Sequence, residues 1–314
     1  MWQKQNPIKA ILVDYNLVIL DGALATELEK YGCNLNDPLW SARVLLENPE
    51  LIYQVHLDYF RAGADCAITS SYQATMEGLT SRGLSEGEAV ELIKKTVFLA
   101  RQARDDFWEQ EGQLNRPKPF IAASVGPYGA YLADGSEYRG DYKVSDEVLT
   151  EFHRPRLEAL IEAGADVLAF ETIPSFQEAK VLGSLLQEFP SNYAWLSFTI
   201  QSEEKMSDGT SLKASSQYFN ENDQIVAIGI NCASPSFVTN AIHQLASQTD
   251  KPIIVYPNSG EFYDPKTKTW QEGESCDGIV DGSNEWFQAG ARLIGGCCRT
   301  SPEQIKRLYE KWRQ

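Results

Sequence analysis

A chain of 314 residues with 43% hydrophobic content is long enough for one large domain or two ordinary ones, with ample material for a core. Its 28 basic against 44 acidic residues leave a net charge of −16, which disfavours nucleic acid and anionic membrane surfaces as partners and points to small molecules. Six cysteines are too sparse for a disulfide scaffold, and no uncharged apolar run approaches the roughly 20 residues of a membrane span.

The run 8–20 has the apolarity of a signal peptide, but Asp14 and Asn16 interrupt it and no small-residue cleavage site follows, so a cytoplasmic protein is expected. Short apolar runs predict eight strands, at 18–20, 66–69, 120–124, 167–170, 194–200, 225–230, 253–256 and 292–294. Most are apolar at consecutive positions, as parallel strands buried on both faces require. Between them lie helices. Ala62-Gly63-Ala64, Ala163-Gly164-Ala165 and Ala289-Gly290-Ala291 each read as a helix ending on glycine and feeding a strand. Ser85 with Glu88, Ser175 with Glu178 and Ser301 with Gln304 have the spacing of a capping box. After Ser85, Ala89, Ile93, Thr96, Ala100, Ala103 and Phe107 form one apolar stripe, and Ile305, Leu308 and Trp312 form another near the end.

Eight strands alternating with helices, without a low-complexity linker, predict an α/β fold: a single-domain (β/α)8 TIM barrel over 1–314. A doubly wound sheet is the rival, and no strand is followed by its Gly-x-Gly-x-x-Gly loop. In a barrel the active site sits on the loops after the strands. There stand Asp21-Gly22, Ser71-Tyr72-Gln73, Gly126-Pro127-Tyr128-Gly129, Glu171-Thr172, Asn231-Cys232, Pro257-Asn258-Ser259-Gly260-Glu261 and Cys297-Cys298. The long loops 127–145, with Tyr128, Tyr131, Tyr138 and Tyr142, and 201–222 are candidate lids.

Cys297-Cys298 alone allows redox or metal chemistry. Placed on one rim with Cys232, the pair becomes a three-thiolate site with one open position, the arrangement of a catalytic zinc. The start of the following helix is expected to lower the thiol pKa values. His56, His153 and His243 lie in predicted helices and read as structural; Cys33, Cys66 and Cys276 read as incidental. Zinc bound by three anionic sulfurs is a weak Lewis acid suited to holding a substrate thiolate, so alkyl transfer to sulfur is the expected reaction. Asp21 and Glu171 could then pair a substrate ammonium; the alternative for Asp21 is to cap the helix beginning near Ala23.

These residues resemble the homocysteine S-methyltransferase family. The matching stretches are 21–29, 71–75, 124–130, Phe170-Glu171-Thr172-Ile173-Pro174, Gly229-Ile230-Asn231-Cys232 and Gly295-Gly296-Cys297-Cys298-Arg299-Thr300. The resemblance implies a barrel with zinc (Zn2+) on Cys232, Cys297 and Cys298, and L-homocysteine sulfur in the fourth position. It also implies Asp21 and Glu171 on the substrate amino group, backbone amides near Gly22 for the carboxylate, and Tyr72, Gln73, Tyr128 and Asn231 as further substrate-binding residues. The segment 126–138 looks like the branch that uses S-methylmethionine or S-adenosylmethionine. In betaine-using members a tyrosine follows the glutamate of strand four; here it is Thr172, which argues against betaine. A sulfonium donor would suit the aromatic faces of Trp40, Tyr72 and Tyr128 and an acidic protein. A betaine-type methyltransferase and a thiol-redox protein using Cys297-Cys298 are the competing readings.

Overall fold

The computed structural model describes residues 5–33, 41–111, 116–260, 262–264, 269–271 and 278–313. Trp40, Glu261 and Cys276 lie outside the described residues. Eight parallel strands make the barrel: β1 (Val18–Ile19), β2 (Cys66–Ile68), β3 (Phe120–Val125), β4 (Val167–Ile173), β5 (Ala194–Phe198), β6 (Ile225–Asn231), β7 (Ile253–Tyr256) and β8 (Ala291–Ile294). Each pairs with its neighbour in sequence, and β8 returns to β1 through Val18 opposite Leu293 and Ile19 opposite Ile294. A bridge from Leu20 to Cys66 closes the ring. The predicted fold is therefore the observed one.

The continuous apolar strands are explained by their two faces, since alternate residues point to opposite sides. Val18, Leu20, Cys66, Phe120, Ala122, Val167, Ala169, Trp195, Ile254 and Leu293 fill the barrel interior. Ile19, Ala67, Ile121, Ala123, Leu168, Phe170 and Leu196 face outward into a larger core shared with the helices. The sequence run 8–20 is two elements rather than one. Asn6 caps the helix Pro7–Asp14 by accepting from Ile8 and Lys9 N–H, and Ile8 and Ile11 join the barrel interior just before β1. Asp14 and Asn16, which break the apolar run, mark the joint.

Gly63, Gly164 and Gly290 have φ of +110°, +85° and +128°, so the three predicted helix ends rest on the left-handed conformation that glycine adopts freely. The aspartates that follow two of them tie strands together: Asp65 Oδ2 accepts from Ile19 N–H at 2.8 Å, and Asp166 Oδ2 from Ile121 N–H at 2.8 Å. The box at Ser85 and Glu88 is complete, and its helix Glu86–Gln110 buries the predicted stripe. At Ser175 only the serine half forms, because Glu178 turns elsewhere. The strand expected over 194–200 ends at Phe198; Ile200–Ser202 pairs instead with Lys205–Met206, and the helix Leu212–Phe219 fills the rest of loop 201–222. Loop 127–145 contains the helix Tyr128–Leu132 and a turn of 3-10 helix, Ser136–Tyr138. No helix among the described residues is long and apolar enough to cross a membrane.

Candidate active site

Cys232 follows β6, and Cys297 and Cys298 follow β8. Backbone bonds fix where their side chains start: Cys232 N–H donates to Tyr256 O at 3.2 Å, Cys297 N–H to Pro257 O at 2.8 Å, and Ser259 N–H to Cys298 O at 3.1 Å. The loops after β6, β7 and β8 are thereby interlocked. The three sulfurs lie within 4.8 Å of one another, and all three residues are half-buried. A tetrahedral zinc with bonds near 2.3 Å would space its sulfurs by roughly 3.8 Å, so the set fits such an ion. Cys232 and Cys297 are bonded to each other in this structure while Cys298 is free; metal ligation requires the reduced pair.

The thiol pKa expectation is overturned at Cys298. Burial pushes this thiol up to about 11, with Glu171 adding to the rise while its own backbone and Arg299 oppose it. The helix Pro302–Arg313 begins too far along to offset this. A cation held by the thiols would favour their ionised form.

Two carboxylates stand on the same rim, both buried. Asp21 does not cap the helix Leu24–Lys30, whose N-cap is Ala23 without a side-chain bond. Its Oδ2 accepts from Ile68 N–H at 2.8 Å, while Oδ1 is buried without a partner. Burial above all, with Glu171 adding, raises its pKa well above the ordinary value. Glu171 accepts from Ser124 Oγ–H and, at 3.1 Å, from Tyr256 O–H. Burial lifts its pKa to about 7 despite those two donors. A pair of underpartnered, dehydrated acids is poised for a cationic ligand.

Gly22 has no room for a side chain: a Cβ would stand 2.7 Å from Thr300 Oγ1 and 2.8 Å from Tyr59 Oη. Ala23 N–H donates to Thr300 Oγ1, which in turn donates to Cys297 O at 2.6 Å. This bond chain couples the β1 and β8 loops. Asn231 is tied to its neighbours: Oδ1 accepts from Thr172 N–H at 2.8 Å and Ser197 Oγ–H at 2.9 Å, and Nδ2 donates to Thr172 Oγ1 at 2.8 Å. It therefore positions Thr172. The Tyr72 hydroxyl is buried, which above all raises its pKa well above the ordinary value; Tyr138, Glu137 and Glu171 add to the rise and Thr172 opposes it. Gln73 donates to Ala130 O at 3.3 Å and leaves Oε1 buried without a partner. Tyr128 packs edge-on against Phe152, with ring centroids 4.9 Å apart, and beside Tyr131 and Tyr142.

His56 is buried without a hydrogen bond, and burial drops its pKa to about 4; His153 faces Glu178, and His243 lies in the helix Pro235–Ala246. None of the three belongs to the sulfur cluster. Tyr256 and Tyr59 were not singled out in the sequence, and Ser124 and Thr300 stood in the matching stretches without an assigned role. The available signal was weak: Ser124 and Tyr256 are polar-bearing residues at or beside the ends of apolar strands.

The profile of the homocysteine S-methyltransferase family matches residues 18–312. The homocysteine S-methyltransferase YbgG of Bacillus subtilis (strain 168) is 59% identical over 304 residues, 96% of each chain. The chain belongs to the homocysteine S-methyltransferase family. Membership makes it a methyltransferase, and the family reaction is methyl transfer to homocysteine. Among solved structures, the metallated form of the homocysteine methyltransferase MmuM from Escherichia coli superposes with a TM-score of 0.89 at 50% identity, covering 98% of this chain and all (100%) of that one. Its oxidized form gives 0.90 at the same identity and coverage. Among the described residues, the cysteine cluster is the group that could hold a metal.

Proposed function

We propose that Cys232, Cys297 and Cys298 hold zinc, and that the enzyme moves a methyl group from a sulfonium donor, S-methylmethionine or S-adenosylmethionine, to the sulfur of L-homocysteine, giving methionine. The observation that carries the reading is the set of three thiols within 4.8 Å of one another, with no His or carboxylate completing it among the described residues. Zinc held there would lower the pKa of the homocysteine thiol while leaving it nucleophilic.

The chain's own residues then bind and align. Asp21 Oδ1, which lacks a partner, and the Glu171 carboxylate accept the homocysteine ammonium, and backbone N–H groups near Gly22 receive its carboxylate. Ser124 and Tyr256 hold Glu171 in place, while Thr172 is fixed by Asn231. Tyr72, Gln73 and Tyr128 border the donor. The sulfonium loses its methyl group and departs as a neutral thioether, so no acid need protonate it; rate comes from alignment and from a dry, acidic pocket that favours a cationic donor. Thr172, where betaine-using members have tyrosine, supports the sulfonium branch. The requirement for reduced thiols suits a cytoplasmic location, and we take the whole span 1–314 as one homocysteine-binding unit.

The test is a donor panel: homocysteine with S-methylmethionine, S-adenosylmethionine or betaine, following methionine formed, on protein assayed for zinc. About one zinc per chain and turnover with a sulfonium donor are expected. Turnover with betaine alone would overturn the donor assignment.

A further inference from the structure

We propose that Glu178, His153 and Arg156 form a buried positioning relay that holds the loops after β2 and β3, and through Tyr142 the segment 133–145, against the donor side of the active site. The identity of that side rests on the methyl-transfer reading above; the relay itself rests on geometry. None of the three residues touches the thiols, so all act through the loops they hold.

Glu178 is the residue whose spacing from Ser175 predicts a capping carboxylate, yet it is completely buried and points away from the cap. Its Oε1 accepts from Tyr128 N–H at 2.6 Å and from His153 Nε2 at 2.8 Å, and its Oε2 accepts from the Tyr142 hydroxyl. On the far side of the imidazole, Arg156 Nη2 donates to His153 Nδ1 at 2.9 Å. An acceptor at Nδ1 and a carboxylate at Nε2 define the neutral ring with its proton on Nε2, since a protonated ring would set N–H against N–H. Burial, the largest influence on His153, also favours the neutral form. Arg156 then reaches the loops directly: Nη2 donates to Gly126 O at 2.6 Å and Nη1 to Tyr72 O at 3.2 Å.

One carboxylate, one neutral imidazole and one guanidinium thus grip Tyr72, Gly126, Tyr128 and Tyr142. The β2 and β3 loops also touch each other, because a Cβ on Gly126 would stand 2.6 Å from Tyr72 O. The far end of Tyr72 lies near enough to Thr172 and Glu171 for both to act on its hydroxyl. His153, Arg156 and Glu178 all show 0% exposure. Burying such a charge pair costs desolvation that apolar side chains of similar size would avoid, so packing alone does not account for it. Its ends meet active-site backbone, which is what a positioning role requires.

The test uses the metal-loaded enzyme and the variants Tyr142→Phe, His153→Leu and His153→Gln. Two quantities are read: steady-state kinetics with homocysteine and the sulfonium donor, and the rate of trypsin cleavage at Arg139 and Lys143, both exposed on the held segment. Tyr142→Phe and His153→Leu should raise the donor KM by about tenfold, the size expected when a hydrogen bond to a charged group is lost, with the homocysteine KM within about twofold of native. Cleavage should accelerate in both. His153→Gln should restore native values, because its amide can donate to Glu178 and its carbonyl accept from Arg156. The proposal is overturned if both disruptive variants keep the native donor KM and cleavage rate. It is equally overturned if His153→Gln fails as badly as His153→Leu, the mark of mere packing. Should the native enzyme turn over no sulfonium donor, the functional reading fails, and the cleavage rates alone decide the relay.

Discussion

Replacing Glu171 with glutamine removes a charge while keeping the shape; its single amide oxygen still accepts from one of Ser124 and Tyr256, and its NH2 turns to donate to the other hydroxyl oxygen. A charge-assisted hydrogen bond to a substrate ammonium is worth about 1.5–3 kcal/mol, so kcat/KM for homocysteine should fall roughly 10- to 100-fold. Stability should move the other way. Burial raises the Glu171 pKa from 4.5 to about 7, which corresponds to about 3 kcal/mol against the ionised form in the folded protein. A raised carboxyl pKa means that the folded state holds its proton longer than the unfolded one. The protonated group's advantage is therefore complete below pH 4.5 and is lost as pH rises to about 7. A zinc ion with three thiolates carries a net charge of about −1, so loading the metal does not relieve this penalty. Without substrate, Glu171→Gln should melt above native enzyme at pH 8, and the difference should vanish near pH 4.5. Thermal melts across pH, alongside homocysteine saturation curves, check both halves. A variant with native homocysteine kinetics, or one less stable than native at pH 8, would refute the reasoning.

Cys298→Ala should retain the native circular dichroism spectrum but lose bound metal and methyl transfer, as metal analysis of the purified variant would reveal; full metal retention would remove Cys298 from the site. Gly22→Ala places a methyl 2.7 Å from Thr300 Oγ1 and 2.8 Å from Tyr59 Oη, so overpacking of about 1–3 kcal/mol should appear in urea unfolding, together with reduced activity as the β1 and β8 loops part. Arg313→Ala breaks a buried ion pair in which Arg313 Nη2 stands 2.6 Å from Asp65 Oδ2, with side-chain exposures of 3% and 0%. Leaving that carboxylate unpaired should cost about 3–5 kcal/mol in denaturant titration without altering the homocysteine KM.

The barrel was legible because its signals are local. Glycine after a helix, an apolar run after the glycine and a polar cluster after the run recur along the chain, and each can be read within a dozen residues. The rim followed from that count, which is why Cys232 could be placed beside Cys297 across 65 residues of chain. What stayed hidden depends on partners far away in sequence. Ser124 bonds Glu171 across 47 residues and Tyr256 bonds it across 85, so neither could be assigned before the strands were in register. Glu178 shows the limit differently. Its local pattern is that of a capping box, but His153 and Tyr142 compete for the same carboxylate and win, because a buried anion is worth more to three donors than to one helix end. The thiol pKa was misjudged for a related reason: a helix start can be read locally, whereas desolvation of Cys298 arises from the loops folded over it.

The site also gathers unfavourable features that a merely stable barrel would lack. Thr172, Cys232 and Arg299, with φ of 61°, 50° and 66°, occupy left-handed backbone that costs a non-glycine residue about 1–2 kcal/mol; Thr172 lies near the end of β4, and Cys232 and Arg299 on the loops after β6 and β8. Asp21 keeps a buried oxygen without a partner, and Glu171 and Asp21 raise each other's cost of ionisation. The carboxylate features are relieved by a cation, an ammonium placed between Asp21 and Glu171. The surrounding barrel, bonded strand to strand around its whole circumference, supplies the rigidity that keeps these groups from relaxing towards one another before the ligands arrive. That preorganisation links the closed sheet to the chemistry, because groups already fixed at the rim need not be reorganised when the methyl group moves.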